Sequence, residues 1–534
     1  MQVTGSSVQS NSSKKQKGQA GMKQYFKRVF SFLIAAAVLA ASFCVAASAP
    51  VYASSGKGLS RSSAVIKTGG TIKLTVKQPA SKVKWKTSDK SIAYVKSVKG
   101  KKKQAAVIKA GKYAGNCTIT ATVGKKKLKC KITTEVKLSS STKDLSSAIK
   151  AGKTDRLKAD SRFSSSAADF SFELLRKTVA ADSEKGKSEN TLISPDSVLT
   201  ALVMAENGAK GQTLSEMQNA LSGGISAADY NRYLSGMNHR LTSSKNVRYH
   251  VANSIWTRSG GIKVRKGFLK KNKTYHNAKV FRAPFNEVTV KDMNKWVSGN
   301  TRGMIKQIIS SLSADDQVVL INAIAFEGGW EEKFAEPRKE TFTKDNGESV
   351  EADMLHQRDR MEYLTVNGGK GFVKYYGGRD IAFVGVLPPE GIKADEFLGE
   401  LTGASFISAW NSKEIKMLDV SVPQFKYDYS ASMVDPLKRM GMQKAFGNDA
   451  DFTGMVIPTA ALPGVHIDDV IHKTHIELDK DGTKAAAATA VVMKANSIIH
   501  EDEAIEVHLD RPFVYALVDA KTGIPLFTGI YRGL

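Results

Sequence analysis

Between residues 63 and 138, apolar and polar side chains alternate in short runs broken by glycine and lysine, at 71–76, 83–86, 105–108, 117–123 and 128–134. Alternation of period two puts one face of a strand inside and the other in water. Five or more such runs within about 75 residues predict a small β-sandwich. The pattern then fades: residues 139–166 are polar, serine-rich at both ends and tolerant of helix, which predicts a linker. From Asp169 onward helix and strand spacings mix. Phe170-Ser-Phe-Glu-Leu-Leu175 opens an amphipathic helix, and Val198-Leu-Thr-Ala-Leu-Val-Met204 follows Pro195 as a core helix should. Ile321 to Phe326 is almost continuously apolar, as a buried central strand requires, and Gly328-Gly329 predicts a tight turn before Trp330. Residues 465–478 are rich in β-branched side chains and 504–509 alternate, so both read as strands joined by a long connection.

That connection begins Asp479-Lys-Asp-Gly-Thr-Lys and runs through Ala485, Ala486, Ala487 and Ala488 to Ser497. Taken alone, 484–495 is a helix, since alanine leads the propensity scale and no breaker intervenes. The rival is a loop that later becomes a strand, for which small side chains would ease sliding between two neighbours. Parity separates the faces. Thr483, Ala485, Ala487, Thr489, Val491 and Met493 share one, and Lys484, Ala486, Ala488, Ala490, Val492 and Lys494 the other. Both lysines fall on the second, so the first carries no charge and is fit for burial.

Composition sharpens the division. The 534 residues are 42% hydrophobic, enough for a sizeable core and more than one domain. The net charge of +28 is concentrated at the front: residues 54–138 hold 22 Lys and Arg against Asp89 and Glu135 alone. Residues 139–534 hold 51 basic and 49 acidic groups. Lysine clusters such as Lys101-Lys-Lys103 and Lys125-Lys-Lys127 would attract polyanions, cell-wall phosphates and acidic glycans among them; a merely solvated face is the alternative. Nucleic acid is disfavoured because no stacking aromatics are interleaved. Lys23, Lys27 and Arg28 precede an apolar run at 29–45 and then Val51-Tyr-Ala53, the three regions of a secretory leader. A signal peptide over 1–53, cleaved after Ala53, predicts a secreted or surface location; a retained anchor is the alternative.

Three cysteines occur, without metal-site spacing. Cys117 and Cys130 lie on consecutive strands of one hairpin, so a disulfide outside the cell and two reduced, buried thiols both remain open. His466, His472 and His475 are too far apart, or on opposite faces of a strand, to share a metal. No Gly-x-Ser-x-Gly or other nucleophile motif occurs, so neither enzyme activity nor a cofactor is expected.

Val83-Lys-Trp-Lys-Thr-Ser-Asp-Lys-Ser-Ile-Ala93, with Ala114-Gly-Asn-Cys-Thr-Ile-Thr-Ala121, resembles the bacterial Ig-like domains of surface proteins. The stretch Gly482, Thr483, Lys484, Ala485, Ala486, Ala487, Ala488, Thr489 resembles the hinge of the serpin reactive-centre loop, which typically reads Gly-Thr-Glu-Ala-Ala-Ala-Ala-Thr. Lys480 and Lys484 stand where that family usually places glutamates, which alters the usual salt bridge at the top of the receiving sheet. Asn253-Ser-Ile-Trp256, Asn294-Lys-Trp-Val-Ser298, Ile321 to Trp330, Val422-Pro-Gln-Phe425, Gly441-Met-Gln-Lys-Ala-Phe446, Arg511-Pro-Phe-Val514 and Pro525-Leu-Phe-Thr-Gly529 are similar to serpin core segments, in the family's order.

The resemblances imply a multidomain chain: an Ig-like sandwich over 54–138, the linker over 139–166, and an α+β serpin fold over 167–534 with a large central sheet and an exposed reactive-centre loop. They further imply a monomeric suicide trap for a serine protease, the scissile bond lying between Asn496 and Ser497. The residues between Ser497 and Pro512 outnumber the family norm, so the bait can slide: cleavage after Lys494 would suit a trypsin-like protease, after Ala495 an elastase-like one. Alternatives are a non-inhibitory serpin, against which the alanine run argues, and a surface adhesin whose basic domain binds polyanions.

Overall fold

The computed structural model describes residues 58–187, 189–460, 463–483 and 503–533. The predicted leader, hinge residues 484–489 and the candidate bonds at Lys494, Ala495, Asn496 and Ser497 lie outside the described residues.

Seven strands follow one another from residue 63: β1 Ser63–Lys67, β2 Thr71–Thr75, β3 Lys84–Thr87, β4 Ala93–Lys99, β5 Ala105–Ala110, β6 Gly115–Val123 and β7 Lys126–Glu135. They form two sheets, β1-β7-β6-β3 and β2-β5-β4, whose inner faces meet through Leu74, Ile108, Ile119, Cys130 and Ile132. The two strands beyond the five predicted runs are edge strands with broken alternation: β4 carries a bulge between Val95 and Ser97, and Val65 of β1 is 52% exposed. The hairpin register puts Cys117 opposite Ile132 and Cys130 opposite Ile119. The thiols are therefore diagonal neighbours rather than a facing pair, and both are free and buried. Burial raises the Cys130 pKa to about 11.

The segment read as a linker, 139–166, makes contacts with the body of the chain. The backbone N–H of Ser139 donates to the Asp292 carboxylate at 3.0 Å, and β8, Lys143–Asp144, adds to a sheet edge. The first helix starts early: α1, Ser161–Glu184, is capped by Asp160, whose side chain accepts from the Phe163 N–H. Its opening turn hides Phe163, Ala167 and Ala168 behind serines, which concealed the apolar stripe in the sequence.

The body continues with β9 Thr191–Ile193, α2 Pro195–Glu206, α3 Gly211–Ser222, α4 Ala227–Thr242, β10 Val247–Arg258, α5 Lys266–His276, β11 Lys279–Ala283, α6 Glu287–Asn300 and β12 Val318–Gly329. Next come β13 Arg338–Thr343, β14 Ser349–Val366, β15 Gly369–Tyr375, β16 Ile381–Leu387, β17 Glu414–Pro423 and β18 Phe425–Ser432. Last are β19 Asp469–Asp479, β20 Gly482–Thr483, β21 Ile505–His508, β22 Phe513–Asp519 and β23 Pro525–Tyr531.

A seven-stranded sheet runs β18-β19-β20-β12-β10-β11-β8; a nine-stranded one runs β21-β17-β14-β15-β16-β22-β23-β9, with β13 on β14. The helix α2, buried along its whole length, lies under the first sheet. Its outer face is covered by α6 and the segment after it: Trp296, Ile305 and Ile308 cluster with Trp256, Phe281, Val319, Ile321, Ala323 and Ile471. Burial on both faces explains the apolar run of β12, interrupted only by Asn322 between Val318 and Phe326. Gly328 and Gly329 end that strand by pairing with β20, so the turn predicted there is a site of close strand approach instead.

Candidate functional site

The notable place in the seven-stranded sheet is the seam between β12 and β19. These strands are parallel and pair directly where Val319–Ala323 meets Asp469–Lys473. At the other end they part around β20, which runs antiparallel to both: Thr483 lies between Gly328 and Leu478, and Gly482 between Gly329 and Asp479. Gly482 has φ +151°, and a Cβ there would fall 2.1 Å from the Gly328 carbonyl oxygen. Only glycine fits such an approach. The turn into β20 is tied by the Asp479 carboxylate, which accepts from the N–H groups of Asp481 at 2.8 Å and Gly482 at 3.0 Å.

Thr483 is only 2% exposed and its hydroxyl meets that of Tyr376 at 2.5 Å. Burial raises the Tyr376 pKa far above the ordinary tyrosine value, so the phenol keeps its proton. Tyr376 stacks on Trp330, centroids 4.3 Å apart. The Trp330 indole N–H donates to the Asp479 carbonyl at 2.8 Å, and its backbone N–H to that of Asp481 at 3.0 Å. Two exposed ion pairs flank the turn, Lys480 with Glu336 and Lys333 with Asp481 at 2.5 Å. The Lys480 pair replaces the acidic hinge residue with a basic one and supplies the acid from the facing loop. Solvent screens this exposed pair, so it contributes little to stability.

At the zipped end His472 is buried and bridges the strands. Its Nε2 accepts from the Ser194 N–H at 3.0 Å, which leaves Nδ1–H to donate to the Asn322 side-chain oxygen at 2.8 Å. Burial lowers its pKa to about 3, so the imidazole is neutral. The Asn322 side-chain nitrogen is buried with no hydrogen-bond partner among the described residues. His466 and His475 have separate partners, Asp468 at 3.2 Å and Asp428 at 2.6 Å. No group of three His, Cys, Asp or Glu among the described residues could hold a metal.

Two acids stand on the outer face beside the hinge: Glu327 on β12 beside Arg248 at 3.0 Å, and Glu477 on β19 beside Lys426 at 3.1 Å. In the other sheet β21 runs parallel to β17. The sequence brought Gly482 and Thr483 forward; it gave no sign of Tyr376, Glu336 or Ser194, which reach the hinge or the seam from distant segments and whose residue types are ordinary in a core or loop.

A sequence profile described as Serpin (serine protease inhibitor) matches residues 165–532, more than half of the chain. An uncharacterized serpin-like protein of Thermococcus kodakarensis is 30% identical over 370 residues, covering 67% of this chain and 83% of that one. Neuroserpin of Homo sapiens is 28% identical over 362 residues, covering 64% and 86%. Among solved structures, the native state of the thermophilic serpin Tengpin superposes with a TM-score of 0.68 at 34% identity, covering 74% of this chain and all of that one.

Proposed function

The chain belongs to the serpin family, whose members are in general protease inhibitors rather than enzymes, and from that premise we propose that it is an exported, monomeric trap for a serine protease. In this reading the protease serine Oγ attacks the carbonyl carbon of the bait residue and the amine of the next residue leaves with a proton. The bait is then an ester on the protease. The freed loop enters the seam between β12 and β19 before water can attack that ester. Fifteen inserted residues, 482–496, would span about 50 Å, carrying the protease along the sheet and distorting it.

The observation that carries this reading is the register already begun by β20. Continued residue by residue, the pairings of Gly482 and Thr483 bring Ala485 between Phe326 and Ile476, Thr489 between Asn322 and His472, and Val491 between Leu320 and Val470. Ala485 and Val491 would thus meet apolar partners and Thr489 polar ones. Thr489 would offer its hydroxyl oxygen to the unpartnered Asn322 nitrogen. On the outer face Lys484 would lie between Glu327 and Glu477, and Ala490 between Ile321 and Ile471. The non-inhibitory alternative gains nothing from such a match.

The bait is assigned to Asn496 and Ser497, with cleavage after Lys494 or Ala495 as the trypsin-like and elastase-like variants. Glu501-Asp-Glu503 beyond it would steer a basic target. The leader at 1–53 would export the chain, and the sandwich, similar to bacterial Ig-like domains, would display it. The test is incubation of the chain with elastase or with trypsin. A denaturant-resistant adduct is expected, the first residue of the released C-terminal peptide (Ala495 with trypsin, Asn496 with elastase, or Ser497 where the bond is Asn496–Ser497) locates the bait, and the Thr483→Arg variant should be cleaved without forming the adduct. Cleavage of the unmutated chain without adduct sinks the trap.

A further inference from the structure

We propose that the solvent face of the sheet β1-β7-β6-β3 is a docking surface for a linear polyphosphodiester, the chemistry of a poly(glycerol phosphate) wall polymer. The register builds it in rows. Lys84 of β3 pairs with Thr122 of β6, which pairs with Lys127 of β7; Lys86, Thr120 and Lys129 form the next row. Thr118, Lys131 and Ser63 of β1 form a third. Facing residues point the same way, so all three rows project from the side opposite Ile119, Cys130 and Ile132. All five lysines are exposed.

Two lysine columns thus flank a column of threonines. The columns stand about 10 Å apart and lysines repeat at about 6.8 Å along each strand. The interposed hydroxyls keep lysines out of direct cross-strand pairs, which like charges would destabilise. A flexible chain of phosphates lying along the threonines would touch both columns, and the hydroxyls could donate to it.

The face is also left without acid. Asp89 and Glu135 are the only acids between residues 54 and 138, and both are engaged at the junction with the body. Asp89 pairs with Arg302, and Glu135 with Lys67 at 2.6 Å and Lys279 at 2.9 Å. None of Lys84, Lys86, Lys127, Lys129 and Lys131 has an ion pair among the described residues. Residues 139–534 are nearly charge-balanced, with 51 basic and 49 acidic groups, so this excess is local. A large one-signed field is a steering device when it has a partner and a cost when it has none.

The opposite sheet presents no such array: Lys73 faces Val107, and Lys109 faces Tyr94. Lys101–Lys103 extend the basic edge, since the Val83 N–H donates to the Lys102 carbonyl and the Trp85 indole N–H to that of Lys103. Trp85 is thereby turned from the face, which offers no aromatic platform for bases. A polymer without bases fits; single-stranded nucleic acid does not.

The test is retention of the full chain on immobilised poly(glycerol phosphate), with heparin and oligothymidylate as parallel arms. Flexible anionic strands give a log-log salt slope of about −0.7 per phosphate engaged, so five lysines predict about −3.5. Replacing all five by Gln abolishes retention. The pairs Lys84→Gln with Lys86→Gln, and Lys127→Gln with Lys129→Gln, each flatten the slope by about 1.4. Replacing Lys73, Lys77, Lys96, Lys99 and Lys109 by Gln, for the same change in net charge, leaves it. Adduct formation with protease is unchanged throughout, because this surface is separate from the trap. Undiminished retention by the five-lysine variant, equal loss in the control, or tighter binding to heparin or oligothymidylate overturns the assignment.

Discussion

A single imidazole shows how finely the closed seam is set. His472 accepts from the Ser194 N–H through Nε2, and a proton there would set one N–H against another. With a folded pKa near 3 and an unfolded value near 6.5, the unfolded chain takes up a proton at acid pH that the folded chain refuses. The sign follows: the stabilisation from neutral His472 is fully present above pH 6.5 and is lost as pH falls toward 3. Its full extent is on the order of 5 kcal/mol, at about 1.4 kcal/mol per pKa unit. His250 and His276, also lowered by burial, to about 4 and 3, add the same trend. The informative quantity is therefore a difference. Between pH 7 and pH 5 the melting temperature of the unmutated chain should fall further than that of the His472→Gln variant. Parallel falls would remove His472 from the account.

Among the elements, the departure of the hinge from its family pattern becomes intelligible as a charge match. In the proposed insertion, continued in the register of β20, Lys484 would fall between Glu327 and Glu477, where a glutamate would meet two like charges. Lys484→Glu should slow insertion, so that more of the inhibitor is cleaved per adduct formed. Adding Glu327→Lys should recover part of the loss, and that non-additivity measures the contact directly. If Lys484→Glu traps protease as efficiently as the unmutated chain, the register does not continue past Thr483.

Strands β12, β19 and β21 were legible in their residues because alternation and apolar runs are local properties, and so was the glycine-led start of β20 at Gly482 and Thr483. The partners were not. Glu327 and Glu477 lie about 150 residues apart on strands whose offset only the folded sheet fixes, and Tyr376 meets Thr483 across 107 positions. Strands β1, β4 and β8 escaped for another reason: each is an edge, where exposure, a bulge or mere shortness erases the apolar pattern on which reading a sequence depends.

At the scale of the whole molecule, the sandwich is fastened to the one element that insertion must disturb. A strand driven between β12 and β19 as far as Val319 and Asp469 passes beneath Ile305 and Ile308, which cover those strands together with Trp296 of α6. That cover is held from the other side by the sandwich. The Ala114 N–H donates to the Gly299 carbonyl at 2.8 Å, and Val136 sits so close to Gly299 that a Cβ there would meet it at 2.3 Å. Arg302 bonds Ser91 at 3.2 Å and pairs with Asp89. Burial alone would raise the Asp89 pKa, but Ser91 and Arg302 outweigh it and the carboxyl is lowered. Lifting the cover would therefore break contacts in both domains, which in the proposed mechanism would add to the barrier against premature insertion. Arg302→Ala or Asp89→Ala should speed the spontaneous loss of inhibitory capacity on warming about fivefold, the rate counterpart of about 1 kcal/mol. Because both remove the same pair, the double variant should decay no faster than either single one. A double variant that decays as the product of the two would mean that each residue acts alone, and that the sandwich does not hold the cover through this pair.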